Sequence, residues 1–108
     1  CATLLTEDYI SDGQYYSTKI NNDEVKDCQI TLIDGNEYRL IACSEKGQKI
    51  RMEIFDKEGH VLFDNKNHNY VKYWNFRMNS SVICTIKLSL ADNTAKPDEI
   101  VLLVGFKK

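Results

Sequence analysis

The chain lacks most of what would mark a familiar chemistry. It has only two histidines, His60 and His68, and its four cysteines include no C-x-x-C pair. A structural zinc site needs four such ligands at close spacing, so the composition argues against one. No apolar run approaches the roughly 20 residues of a membrane-spanning helix. Neither sign of charge dominates: 14 basic residues face 16 acidic ones, for a net charge of −2. Binding to nucleic acid or to an anionic membrane surface needs a basic face, and this balance argues against both. The single proline, Pro97, falls in a loop and interrupts no strand. No repeat, linker, low-complexity tract or signal peptide is present; a mature exported chain would have lost the last of these.

What remains is a strong period of two. With 108 residues the chain suffices for one domain with one core, spanning 1–108. In "KIRMEIF" (49–55), Lys49, Arg51 and Glu53 alternate with Ile50, Met52 and Ile54. Side chains on a strand alternate faces, so this segment has one dry side and one wet side. "SVICTIKLSL" places Val82, Cys84, Ile86, Leu88 and Leu90 inward, and "DCQITLI" does the same with Cys28, Ile30 and Leu32. "IVLLVGF" (100–106) is apolar on both faces, which predicts a central strand. Further strands are predicted over 13–20, 37–44, 60–64 and 70–78. Turn chemistry separates them: "NNDE", "DGNE", "EKGQ", "DKEG", "NKNHN" and "ADNTAKPDE". About eight short antiparallel strands at this spacing predict an all-β sandwich of the jelly-roll kind. Residues 1–10 fit a strand poorly and read as a short helical turn or lid.

Candidate chemistry is sparse. "IFDKEGHVLFDN" (54–65) gathers Asp56, Glu58, His60 and Asp64 around a glycine. Calcium takes six to eight oxygens, usually from a longer loop of alternating acids, so Asp56 and Glu58 are weak metal candidates even with Asp92 added. The stretch reads as a hairpin turn joining strands whose inward sets are Ile50, Met52, Ile54 and Val61, Phe63. Gly59 supplies the positive-φ position and Asp56 the capping carboxylate. No serine or cysteine has an evident base and orienting group, Ser80 and Ser81 sit in a turn, and Cys84 falls on an inward face. No catalytic residue, metal or cofactor is therefore assigned, and a non-catalytic interaction or accessory module is expected.

Binding has a better claim. "NHNYVKYWNF" (67–76) is rich in amides and aromatics. Alternation puts Trp74, Phe76 and Met78 on one face with Lys72, and Tyr73, Asn75 and Arg77 on the other with Val71. Trp74 is expected in the core. Tyr70, Tyr73 and Asn75 form a candidate ligand site, with Tyr15 and Tyr16 as further candidates for exposure. Exposed tyrosines beside an amide suit sugar faces or protein partners, because they add contact area at small entropy cost. The alternative reading is accordingly a carbohydrate-binding module.

The cysteines point to an oxidising compartment. Cys1 could be lipid-modified or a disulfide partner. "LLTEDYI" follows it at once, with no flexible tether, which favours a disulfide. Cys28 and Cys84 fall on inward faces, whereas Cys43 is out of phase with Tyr38, Leu40 and Ala42. Cys1–Cys43 is the expected pair, which in the chain-entropy model contributes roughly 3–4 kcal/mol.

The order of pieces resembles bacterial pre-peptidase C-terminal-type sandwiches. The matching residues are Ile30, Leu32, Gly35, Tyr38 and Ala42; then Ile54, Asp56, Gly59, Val61, Leu62 and Asp64; then Trp74, Phe76, Thr85 and Ile86. Over nearly its whole length, through "YISDGQYY", "YRLIACS", "HVLFDNK", "KYWNF" and "LLVGFKK", the chain is also similar to small exported β-sandwich proteins of Bacteroidetes-type bacteria. The resemblance implies the sandwich fold and export to the periplasm, cell surface or medium, with an unknown protein or glycan of the cell envelope as partner. It implies no activity. Cys28 stands where those relatives carry a bulky apolar residue, which weighs against a scheme that pairs all four cysteines.

Overall fold

The alternating segments become eight antiparallel strands in the computed structural model, which describes residues 2–6 and 8–107. They are β1 (Tyr9–Ile20), β2 (Val25–Leu32), β3 (Glu37–Ser44), β4 (Ile50–Phe55), β5 (Val61–Asp64), β6 (Tyr73–Arg77), β7 (Val82–Leu90) and β8 (Asp98–Lys107). Two short 3₁₀ helices, η1 (Ala2–Leu5) and η2 (Asn65–His68), complete the chain. Sheet A has the order β1-β8-β3-β6 and sheet B the order β2-β7-β4-β5. Successive strands change sheet except at the β4–β5 hairpin, which makes the sandwich a jelly roll.

The core lies between the sheets. Ile30 and Leu32 of β2, Met52 and Ile54 of β4, and Cys84, Ile86 and Leu88 of β7 meet Leu40 and Ala42 of β3 and Ile100, Leu102 and Val104 of β8. Each large apolar side chain so buried contributes about 1.5–3 kcal/mol. The doubly apolar β8 is indeed central, between β1 and β3. Its outer face and that of β3 form a second apolar surface under the N-terminal segment, where Ile41 and Gly105 are buried. A Cβ on Gly105 would collide with Leu5 Cδ2, so the absent side chain leaves room for Leu5 against sheet A.

Three local expectations change. The first concerns β1, which starts at Tyr9 rather than 13. "SDGQ" is a bulge inside it: Ser11 pairs with Gly105, and pairing resumes at Tyr15 with Leu103. Gln14 then reaches across to sheet B, where its side-chain amide accepts from Thr31 N (2.8 Å) and donates to Thr31 O (2.9 Å). The second concerns Val61, expected inward but 59% exposed. Ile54 pairs with Phe63 and Phe55 with Val61, leaving Leu62 unpaired. One extra residue reverses the alternation, so only Phe63 of that set faces the core. The third concerns 70–78. Asn69 and Tyr70 both take left-handed backbone, with φ of 57° and 55°, which delays β6 to Tyr73.

The "NKNHN" segment carries a feature absent from the sequence reading. Asp64 caps η2 by accepting from Lys66 N at 3.0 Å. The next residue, Asn65, is only 1% exposed. Its Oδ1 accepts from Met52 N at 2.8 Å, and its Nδ2 donates to Ile50 O at 2.8 Å and Val71 O at 3.2 Å. One amide thus ties β4 to the segment leading into β6. Asn65→Ala is expected to lose between about 2 and 5 kcal/mol, because it strands buried backbone groups. Asn65→Asp should not rescue it, since a carboxylate cannot donate to the two carbonyls. Urea denaturation of both variants checks this; a loss below about 1 kcal/mol for either would contradict the assigned role.

Candidate functional site

β6 is an edge strand of sheet A, paired on one side with β3 through Glu37↔Arg77, Arg39↔Asn75 and Ile41↔Tyr73. Its alternation is as the sequence predicts. Trp74 and Phe76 turn inward and pack against the core. Trp74 stacks on Phe63 at 4.8 Å between ring centroids and lies 4.4 Å from His68. Phe76 meets Phe63 edge-on at 5.6 Å. These rings close the sandwich on its β5–β6 side.

Outside this aromatic seal lies an open cleft of ≈ 370 Å³, lined by Val71, Tyr73, Trp74 and Asn75. Its volume falls within the range of about 300–1,000 Å³ usual for small-molecule sites. Tyr73 is 40% exposed, and its ring is held from one side. The Arg39 guanidinium lies 4.4 Å from the Tyr73 ring centroid and 4.2 Å from that of Tyr9. Two hydrogen bonds fix Arg39 in turn: Nε donates to Asn75 Oδ1 and Nη1 to Leu4 O, both at 2.8 Å. The cluster continues through Tyr9, whose hydroxyl donates to Glu37. That bond is the main cause holding the Glu37 carboxyl below its ordinary range, while burial and then Glu37 push the Tyr9 phenol up. Register alone places these groups side by side on the outer face of sheet A.

Of the three predicted ligand residues, the structure brings Tyr73 and Asn75 together. Tyr70 lies on the other side of the same segment. It lines a smaller, more enclosed cavity of ≈ 70 Å³ with Ala42, Ser44, Gly47, Gln48, Lys49, Ile50 and Lys72. Tyr15 is 69% exposed on the opposite edge strand, and Tyr16 packs against the core. Arg39 escaped the sequence reading, and so did the part Val71, Trp74 and Lys72 play in these walls. Arg39 sits in "EYRLIACS" with only its outward phase as a signal; nothing local points it at Tyr9, 30 positions earlier.

The 56–60 turn does bring Asp56, Glu58 and His60 within 4.8 Å of one another. The carboxylate of Asp56 is already occupied. Oδ1 accepts from Glu58 N (3.0 Å) and His60 N (2.8 Å), and Oδ2 lies 3.0 Å from His60 Nδ1. The backbone N–H of His60 is the largest influence holding Asp56 below its ordinary pKa. Glu58 and His60 are exposed. The turn closes through Gly59 N to Asp56 O at 3.1 Å, with Gly59 at φ 84°.

Cys28 and Cys84 are free thiols. Burial pushes Cys28 up to about 11 and raises Cys84 as well, so neither is a ready nucleophile. In the β2–β7 register Cys28 faces Ile86 and Cys84 faces Ile30, a diagonal pair rather than an opposed one. Cys43 lies on β3 with its backbone opposite Val101 of β8. Its expected partner, Cys1, lies outside the described residues.

One buried carboxylate serves the opposite end of sheet A. Asp98 accepts from the Ser44 hydroxyl, from Gln48 Nε2 at 3.0 Å and from Lys46 N at 3.2 Å. Burial alone would raise its pKa, but hydrogen bonds from Ser44, Gln48 and the backbone of Lys46 and Glu99 together lower it.

No protein-family model matches the chain, and no curated protein matches it in sequence.

Two expectations follow. Gly59→Ala should destabilise by about 1 kcal/mol, from backbone strain alone, since nothing lies within 4 Å of the added Cβ. Glu58→Ala and His60→Ala should stay within about 0.5 kcal/mol, and melts should not respond to calcium or a chelator. A calcium-dependent shift lost in Glu58→Ala would overturn the turn reading. For Asp98, the depressed folded pKa means its contribution is complete above the ordinary carboxylate value of about 3.9 and lost as pH falls through the folded value. Stability should therefore drop on acidification below about pH 4, and Asp98→Asn should show a flatter acid limb in pH-dependent urea melts.

Proposed function

We propose that this domain is a non-catalytic, exported interaction module whose working surface is the β6 margin of sheet A. The observation that carries the reading is the cleft beside Tyr73, an aromatic wall held in place before any ligand arrives. A ring packed against Arg39, which Asn75 in turn holds, loses little freedom on binding, which favours affinity. Chemistry has weaker support. The two free thiols are raised by burial, Ser81 Oγ accepts from Asp34 N at 3.0 Å, and Asp56 is committed to its own turn.

Export to the periplasm, cell surface or medium is supported by the cysteine content and by the resemblance to small exported sandwiches. A Cys1–Cys43 disulfide belongs to the same reading. Cys43 lies on the outer face of sheet A, the face that η1 covers, so the bond would pin the lid there.

A second reading, carbohydrate binding, is favoured by the half-open ring of Tyr73 beside the Asn75 amide. A planar ring with an adjacent hydrogen-bonding group matches the apolar face and hydroxyl edge of a sugar.

The test compares the protein with Tyr73→Ala on native cell-envelope extract and on a glycan array. A ligand retained by the protein and weakened about tenfold or more in the variant is the expected result, as for a central aromatic anchor. Retention unaffected by Tyr73→Ala would move the working surface elsewhere. Hydrolase activity on a broad panel, abolished by one point change, would overturn the non-catalytic reading.

A further inference from the structure

The outer faces of the two sheets differ. On sheet A, outward-pointing Ile41 is fully buried, and the N-terminal segment lies against that face with Leu5 over Gly105. Sheet B has no such cover among the described residues: Ile33, Ile83 and Val61 all stand about half-exposed or more. The register gathers these side chains. Ile83 lies opposite Thr31, Phe55 opposite Thr85, and Val61 opposite Phe55. Alternation turns Ile83, Phe55 and Val61 outward, since Cys84, Ile54 and Phe63 are buried. Ile33 follows two residues after Thr31, in the same phase. The result is an apolar band across one end of the face, of the kind that marks an interaction surface.

The next outward row along the strands is charged. Asp27 lies opposite Lys87, Lys87 opposite Glu53, and Glu53 opposite Asp64. Arg51 engages Asp64 at 2.8 Å and Glu53 at 3.7 Å. Lys87 is exposed and has no ion-pair partner among the described residues.

We infer that two copies of the chain pair through this face, sheet B against sheet B, about a two-fold axis parallel to the strands. That axis sets apolar band on apolar band and charged row on charged row. An axis across the strands, through the middle of the face, would press the charged row into the apolar band and desolvate unpaired charges. The strand order is β2-β7-β4-β5, so an axis between β7 and β4 lays β7 of one copy over β4 of the other. Lys87 then meets the partner's Glu53, and the contact occurs twice by symmetry. Asp27 comes over the partner's Asp64, whose charge Arg51 already offsets. Such self-complementary charge fixes one partner and one register, which an apolar patch alone does not. Four strands about 4.8 Å apart, the longest of nine residues at about 3.3 Å each, give a face of about 600 Å² in plan. A standard interface covers about 800 Å² per partner, so a weak, reversible dimer is expected. The β6 cleft lies on sheet A, and two copies so joined leave both clefts open.

Sedimentation equilibrium of the whole chain between about 5 µM and about 1 mM tests this. A monomer–dimer equilibrium is expected, and Ile83→Glu or Val61→Glu should weaken it about tenfold or more. Lys87→Glu and Glu53→Lys should each weaken it comparably, because each sets like charges together twice. Mixed in equal amounts, these two charge variants should associate as tightly as the parent, since both contacts of the mixed pair then join opposite charges. Positions 53 and 87 also face each other within one chain. Mixing cannot restore that internal pair, so recovery reports contact between copies. At about 1 µM, where the monomer prevails, the four variants should melt close to the parent, as exposed substitutions do. Three results overturn the inference: a chain still monomeric at about 1 mM; a dimer indifferent to Ile83→Glu and Val61→Glu; or charge variants whose mixture associates no better than either alone.

Discussion

The side-chain amide of Asn65 does the work of a strand where no strand is present. Its three hydrogen bonds to Met52, Ile50 and Val71 lie at the point where the chain leaves sheet B for sheet A. A buried backbone group without a partner is costly, so a loop that crosses between sheets must bring its own donors and acceptors. The segment it holds contains the wall of both candidate cavities. Remove the amide, and Val71 loses its tie to β4, leaving the segment to the backbone bonds of Tyr70 N to Asn65 O and Ala42 N to Lys72 O.

The same device recurs twice. Gln14 zips its amide to both backbone atoms of Thr31, and Gln48 does so to Lys96, donating to its carbonyl at 2.8 Å and accepting from its N–H at 2.9 Å. Each joins segments that no ladder joins, in one case the bulge of β1 to an edge of sheet B and in the other the β3–β4 loop to the last long loop. Asp98 completes the second clamp. A jelly roll needs such fasteners because its neighbours in space are far apart in sequence. Tyr9 pairs with Lys107, nearly the full chain apart, so closure of sheet A is entropically expensive and draws on specific polar contacts as well as apolar burial.

The candidate site follows from this architecture. Arg39 is confined between two rings and two hydrogen-bond acceptors, and it orients Tyr73 while holding the carbonyl of Leu4 in the N-terminal segment. Lid and cleft therefore share one residue. Gly105 contributes by absence, leaving room for Leu5. Gln14, Tyr38 and Gly59 have bulge, core and turn roles in this fold.

The strand segments, their inward faces and the turns between them were legible in the sequence, because a period of two is a local property that each strand carries by itself. Met52, Ile86 and Leu88 could be placed in the core without knowing their neighbours, and Trp74 by its phase with Phe76. Val61 was misplaced because one bulge residue, Leu62, reverses the alternation, and a bulge is visible only against its partner strand. Tyr73 and Asn75 were found as an aromatic and an amide in outward phase, but Arg39, which makes them a site, could not be. Its contacts with Tyr9 and Tyr73 exist only because β3 lies between β8 and β6 in a particular register. Asn65 in "NKNHN" looked like any turn asparagine, and burial made it a fastener. Which residues meet across a sheet depends on strand order and register, and those are set by the packing of the whole chain.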